Sequence, residues 1–533
     1  MDARTAREPL EPFGPLSAST IWRDLSDVYA RAGPDIWAKV PAAVTGNAFV
    51  GDRFAAALEA WLLDQGDAVD AREPVYVLEL GAGSGMFSHA FVTAVARRRA
   101  RGTFPHPHVV LVMCDQPGMR FDEWAEENIL AKHVRSGVID RATVAVRDDG
   151  NFAPIVLEHS RSTLASVTNP LVVVANYFFD SIPSDAFRVR DGQLFEARTR
   201  FVRARKTDTF KGLENEEQPI ETGTTHYGNA ALDAVLASYV HEYAEASLLM
   251  PIAGIRCIDA LQELAGGRIF VLALDKGITG HGRVAGWFNQ PFVPHDEVFS
   301  YLVNFDAMRR WFEVKGGSAL CTAHDDRSLV AFAGVLPGAT ATSSHLRRYF
   351  ADHIDSVDAF NAFNAFAHGV HEVPKVAKSA AVAPLLDLLA QMRGDPDAFA
   401  AVIYRTIDVI AATETGVRSL ALRLAQAAKE NFYSPRFHND VYYWSGRLHY
   451  ALGDLDTAER DFDASLSIFG KRSHAHFFLG VIAERRGFAE TALDHYARHR
   501  TADAECQATK NAIRRVSGKL TATREQAPPA ASR

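Results

Sequence analysis

At 533 residues, with 47% hydrophobic and 23% charged residues, the chain has room for two or three domains and the composition of an ordinary folded protein. Its formal net charge of −8 argues against a nonspecific nucleic-acid binder, and the basic cluster Arg97–Arg101 reads as a solvated helix end. Cys114, Cys257, Cys321 and Cys506 are scattered, with no C-x-x-C pair, and His106 and His108 stand isolated. A reducing compartment and no zinc site are therefore expected, and with no apolar leader or span-length apolar run the expectation is a cytoplasmic protein with no membrane partner.

Residues 1–45 read as a helical or extended lead-in to a domain predicted over 46–335. The run from Val75 to Leu80 is a buried strand, followed by glycines at alternate positions, Gly81, Gly83 and Gly85, and an amphipathic helix from about Phe87 to Arg99. Strand, glycine turn and helix open a nucleotide-binding α/β domain, where backbone must pass close to a ligand that a Cβ would block. A dinucleotide fingerprint would need a third glycine at 86, which is Met86. The G-x-G-x-G spacing with Glu79 two residues ahead resembles motif I of class I S-adenosylmethionine (SAM) methyltransferases. That resemblance implies SAM as cofactor, Glu79 at its methionine end, and Gly81, Ala82, Gly83 and Gly85 against its adenosine.

A second strand, Val109 to Asp115, ends in a carboxylate placed to accept from ribose hydroxyls. A third is predicted over Thr143–Asp148, whose Asp148 is a candidate for the adenine amino group; Asp149 competes for that role, and both also suit a simple turn. Leu171 to Ala175 is a continuous apolar run, as for a central parallel strand buried on both faces. It opens into Asn176-Tyr-Phe-Phe-Asp-Ser-Ile-Pro183 and then Ala186-Phe-Arg-Val-Arg-Asp-Gly192, so Asn176 to Asp180 should border the transferable methyl. Asn176, Asp180 and Tyr177 are the candidate catalytic residues, with Asn176 also touching the cofactor. Asn176 and Asp180 would orient and deprotonate an acceptor, and the aromatics would wall the site. Turn, N-cap and core roles are the alternative for the same side chains.

Residues 165–196 resemble the MidA-like methyltransferases, a family that includes a mitochondrial complex I assembly factor methylating a protein arginine; the likeness extends over about 40–335. The family's glutamate after the asparagine is Tyr177 here, and the tyrosine of its Asp-Tyr-Gly motif is Lys276 in Asp275-Lys-Gly277. A carboxylate suits a guanidinium and tyrosine does not, so arginine as the acceptor is in doubt. The fifth strand is predicted within 268–277, and late strands at 318–321 and 328–333 should form an antiparallel edge. Between the fourth and fifth strands, residues 205–262 read as a helical insertion with apolar positions from Leu232 to Tyr243.

Leu336-Pro-Gly-Ala-Thr-Ala-Thr-Ser-Ser344 has linker composition, and 345–515 read as helix throughout, with a start signal at Asp395-Pro396. Over 437–500 a 34-residue period pairs Gly446 with Gly480, Gly453 with Gly487, Ala458 with Ala492 and Phe462 with Tyr496. These are the small and aromatic positions of the tetratricopeptide repeat (TPR), whose solenoids bind peptides or proteins. A degenerate unit is expected at 403–436, where Ala412 and Leu424 break the pattern, and 516–533 reads as a disordered tail. The resulting expectation is a Rossmann-like SAM-dependent methyltransferase with a helical TPR-like domain that recruits a protein substrate or partner. A non-catalytic SAM-binding scaffold, a small-molecule methyltransferase and an NAD-linked oxidoreductase are the alternatives.

Overall fold

The computed structural model describes residues 8–32, 36, 44–116, 129–144, 154–203, 209–280, 284–290, 292–295, 297–323, 329–337, 344–355, 359–372, 374–376, 378–470 and 474–525. The chain divides into two units, 1–364 and 365–533.

The first unit is α/β. Its central sheet comprises β1 (Val75–Leu80), β2 (Val109–Asp115), β3 (Ile139–Thr143), β4 (Leu171–Asn176), β5 (Ile269–Ile278), β6 (Ser318–Cys321) and β7 (Leu329–Leu336). The order is β3-β2-β1-β4-β5-β7-β6, with the short strand Val303–Asn304 also paired to β5. Strands β1 to β5 are parallel; β7 runs antiparallel to both β5 and β6. Order therefore reverses between β1 and β4, which opens a crevice beyond their carboxyl ends. Strands β1, β4 and β5 are almost wholly apolar because both faces are covered. Val173, Val271 and Ala273 pack with Ile255, Ile258, Trp311 and Phe312 of helices Ile252–Leu264 and Phe305–Val314. On the opposite face, Trp61 of the helix Ala48–Gln65 stacks on Phe270, ring centroids 4.9 Å apart. That helix crosses the helix Met86–Ala100 so closely that a Cβ on Gly51 would lie 2.7 Å from Ala90 backbone.

Three expectations need correction. The third strand is Ile139–Thr143, starting just after the left-handed turn at Gly137 (φ +71°), and not 143–148. Of that predicted strand, 145–148 lie outside the described residues, as do Asp148 and Asp149.

The insertion is a second, antiparallel sheet as much as helix. Strands Asp185–Arg190 and Gln193–Arg203 form a hairpin over Asp191-Gly192, both with positive φ (+50° and +76°), which suits a tight type I′ turn. The acidic stretch Leu213–Thr222 pairs along the whole of 194–203, and Glu245–Met250 pairs with Asp185–Arg190. Its charges are absorbed across the strands: Arg200 pairs with Glu216 at 2.8 Å, and Arg188 with Glu217 in a fully buried ion pair. The helical pattern from Leu232 to Tyr243 occupies Ala230–Glu242, with Asn229 as its cap.

The C-terminal boundaries also move. Helix Ser344–Phe350 lies in the first unit, where the Asp64 carboxylate accepts from His345 N (3.0 Å) and Leu346 N (2.9 Å). Much of the supposed tail is ordered, because Gln507–Glu525 is a helix whose Val516 and Leu520 pack with Tyr496 and Phe477. Only 526–533 lie outside the described residues there.

The second unit is helical throughout its regular elements. Helices Val441–Ala451 and Leu455–Phe469 are followed by Ala475–Arg485 and Ala489–Ala502, the second pair repeating the first 34 residues later. A Cβ on Gly446 would sit 2.7 Å from Phe462, and one on Gly480 would sit 2.6 Å from Tyr496, so each ring fills the gap its glycine leaves. Gly453 and Gly487 turn the chain between paired helices at φ +87° and +84°. The preceding pair, Pro396–Ile410 and Thr415–Asn431, departs from this register with a longer first helix. Among the described residues, no helix is long and apolar enough to cross a membrane.

Candidate functional site

A cavity of about 1220 Å³ opens beyond the carboxyl ends of β1, β2, β4 and β5. It exceeds the ~300–1,000 Å³ typical of small-molecule pockets, which leaves room for a cofactor and a second molecule.

One side is built by the glycine turn. Gly81, Gly83 and Gly85 all have positive φ (+68°, +51° and +74°), so side chains there would be strained whatever the space. Ala82 N donates to Cys114 O (3.0 Å), tying the turn to β2. Gly83 N donates to Asp115 Oδ2 (2.8 Å) and Gln116 N to Asp115 Oδ1 (2.8 Å). Each carboxylate oxygen of Asp115 thus holds one backbone donor and keeps a lone pair for a diol. Burial raises Asp115 to about 6, with the two N–H groups pulling it down. Glu79 is buried beneath the turn and accepts from Ser88 Oγ, a residue of the following helix. Burial pushes it up to about 8, against that hydrogen bond. An ammonium group brought beside it would restore its charge.

The other side rises from β4 and β5. Asn176 ends β4 and lines the cavity, and both its Oδ1 and Nδ2 are buried without a hydrogen-bond partner among the described residues. Orphaned amide atoms at a cavity wall are sites for a ligand's donor and acceptor. Tyr177 follows with φ +48°, strained backbone for a bulky residue, of the kind that collects at functional loops. Phe178 then folds back onto the glycine turn, its ring 3.4 Å from where a Gly81 Cβ would stand. This contact joins the two sequence motifs into one site.

Asp180 is buried, accepts from Ser181 Oγ (2.7 Å), and donates its own N–H to Asp275 Oδ2 (3.1 Å). Asp275, fully buried at the end of β5, also accepts from Lys276 N (2.7 Å). Desolvation raises both carboxyls, Asp275 further still through the charge of Asp180, while Ser181 and the Lys276 charge pull Asp180 back down. All the described candidate residues therefore converge on one cavity: Glu79, Gly81, Ala82, Gly83, Asp115, Asn176, Tyr177 and Asp180 line it, and Gly85 closes the turn.

Sequence reasoning missed three contributors. Helix Ile21–Ala32 lines the cavity with Trp22, Ser26 and Tyr29, and Ser26 Oγ donates to Gln116 Oε1 (2.5 Å), next to Asp115. Tyr29 faces both halves: burial and the charge of Asp180, then Asp115 and Asp275, raise its phenol. The apolar spacing Ile21, Trp22, Leu25, Tyr29 signals such a packed helix, but nothing local shows what it covers. Asp275 carried a signal as the acid ending a predicted strand. His295, on a loop far along the chain, carried none.

No protein-family model and no curated protein matches the chain. Two solved structures from Burkholderia thailandensis resemble it at 15% identity. One is an uncharacterized protein (TM-score 0.36), covering 62% of this chain and 89% of its own. The other belongs to the same superfamily and is described as a "likely methyl transferase" bound to S-adenosyl-homocysteine (TM-score 0.35, 64% of this chain and 91% of its own). At such TM-scores the likeness carries no argument, and function rests on the chemistry of the cavity. Among the described residues, no group of three or more His, Cys, Asp or Glu could hold a metal ion.

Proposed function

We propose that the chain is a SAM-dependent methyltransferase. The observation that carries this reading is the pairing, in one cavity, of Glu79 under a left-handed glycine turn with Asp115 beside it, facing an unpartnered Asn176. The residues present fit SAM: Glu79 would hold the α-ammonium, Asp115 the ribose diol and the glycine turn the adenosine, while Met86 stands where a dinucleotide site needs glycine. The bound cofactor would supply a methyl on a sulfonium. The protein's task is then alignment and exclusion of water, with Asn176 and the Asp180–Asp275 pair orienting the acceptor and taking its proton. The sheet order, with a single antiparallel strand inserted near one edge, supports the same class.

The repeated helical pairs of the second unit support a TPR-like role in recruiting a protein substrate or partner. A non-catalytic scaffold that retains SAM is the second reading, favoured by Tyr177 and Lys276. Calorimetric titration of SAM into the wild type and Gly83→Val, with NAD as control, tests the first. Binding of SAM alone, abolished in the variant, supports the pocket, and labelled SAM then reads out transfer. No heat for SAM overturns it.

A further inference from the structure

The half of the cavity away from the glycine turn contains an ammonium group that no carboxylate touches, although its charge reaches Asp180. Lys276 follows Asp275 at the end of β5, and no carboxylate among the described residues lies within ion-pair distance of its Nζ. Its directed contacts are the Tyr177 ring, 5.6 Å away, and His295 Nε2 at 3.5 Å. His295 Nε2 also lies 3.0 Å from Ser300 Oγ. The ammonium can only donate, so toward Lys276 this nitrogen serves as acceptor on a neutral ring, a form that burial and the Lys276 charge favour by lowering the pKa of His295. An imidazole acceptor orients the ammonium without neutralising it.

The carboxyls near Lys276 are otherwise engaged. Asp275 accepts backbone N–H groups, and Asp180, which feels the Lys276 charge without touching it, is held by Ser181. Two unpartnered amide atoms of Asn176 and one oriented cation thus face the same space.

We propose that this half of the cavity recognises an oxyanion, a carboxylate or a phosphate monoester, carried by the methyl acceptor, with Lys276 as the binding residue and His295 as its positioning residue. The proposal rests on the methyltransferase reading for the word acceptor, not for the anion site itself. A guanidinium or ammonium acceptor would meet Lys276 as a like charge, and an anionic one would complete it.

The test is a calorimetric series on the full chain, alone and saturated with S-adenosylhomocysteine. The probes are 4-hydroxybenzoate, phenyl phosphate, 4-hydroxybenzamide and 4-hydroxybenzylamine. The expected result is that one of the anions binds about tenfold or more tightly than the amide and the amine, and which anion does so distinguishes the two sources. Lys276→Met should abolish that preference and Lys276→Arg should keep it, with thermal melts showing both variants folded. His295→Ala should weaken it, whereas Ser300→Ala leaves the charge and reduces it less. Equal binding of all probes, no binding of either anion, preference for the amine, or a preference that survives Lys276→Met overturns the proposal. Failure of S-adenosylhomocysteine to bind overturns the methyltransferase reading instead, and the anion series on the protein alone still decides the oxyanion site.

Discussion

Glu79 gives the sharpest quantitative handle on the cofactor half. Burial raises its pKa from the usual 4.5 to about 8, so at pH 7 about nine-tenths of the empty protein carries it as the neutral acid. Pairing with the α-ammonium of SAM requires the carboxylate, and the proton must leave on binding. The expected net stoichiometry at pH 7 is about 0.8 proton released per cofactor bound, about 0.9 from Glu79 less about 0.1 taken up by the α-amino group, and affinity should rise about fifteen- to twentyfold from pH 6 to 7.5. Above pH 8 the rise should flatten because Glu79 is then already ionised, and affinity should turn down as the free α-amino group, which titrates near pH 8, loses its proton. Calorimetry in phosphate and in Tris at one pH measures the proton count from the difference in heats. Glu79→Gln should bind more weakly, release no proton from this site and lose the pH slope. A wild type that releases none, or a variant that releases as many, would refute the assignment.

The same shift sets the stability of the empty protein. A carboxyl whose folded pKa is raised favours folding below its unfolded value, and that contribution is lost as pH rises through the folded value. The window for Glu79 is about pH 4.5 to 8, worth up to about 5 kcal/mol across its whole span. The melting temperature of the empty wild type should fall from pH 6 to 8, and the fall should be smaller in Glu79→Gln.

Gly446→Ala and Gly480→Ala each push a methyl to within 2.7 and 2.6 Å of an aromatic ring that fills the interhelical gap. Each should cost about 1–3 kcal/mol in urea unfolding of the second unit's transition, and the paired change Gly446→Ala with Phe462→Leu should recover part of it; neutral variants would mean the helices are not locked by these rings. Arg188→Met leaves Glu217 buried without its cation and should cost about 3–5 kcal/mol, whereas Arg188→Met with Glu217→Leu should cost less than that single change. A double variant less stable than Arg188→Met would refute the idea that the uncompensated charge dominates.

The cofactor half was legible in the sequence because its determinants are local. A buried run, alternating glycines and a strand-ending acid each impose a backbone geometry within a few residues, and β1, β2 and β4 fall where the apolar runs place them. The accessory sheet was not legible for the opposite reason. Leu213–Thr222 reads as solvated because Glu216 and Glu217 meet Arg200 and Arg188 on strands 16 or more residues earlier in the chain. The C-terminal part of the ordered helix Gln507–Glu525 was hidden likewise, since Lys519 reads as tail charge until Glu484 of another helix accepts from it as it does from Arg515.

The acceptor half combines both cases, and this bears on how its specificity is encoded. Asn176 and Asp180 sit at the end of β4, a position that any sheet of this order presents to its crevice. What faces them comes from elsewhere: Tyr29 from a helix before the sheet, Lys276 from the end of β5, His295 and Ser300 from the short strand pair Val293–Pro294 and Phe299–Ser300 and the chain that joins it. Of these, Tyr29 also feels Asp115, whereas Lys276, His295 and Ser300 make no hydrogen bond or ion pair among the described residues with the glycine turn, Glu79 or Asp115 and can change with little effect on the cofactor half. The departures Tyr177 and Lys276 are in contact with each other, ring to ammonium, and are therefore one change rather than two. A tyrosine held at φ +48° places its ring where a cation can rest on it, and a lysine there in turn leaves a charge for a substrate to meet. Restoring glutamate at 177 alone would pair with Lys276 and fill the site with an internal ion pair; recovering a cation-binding acceptor site requires changing both.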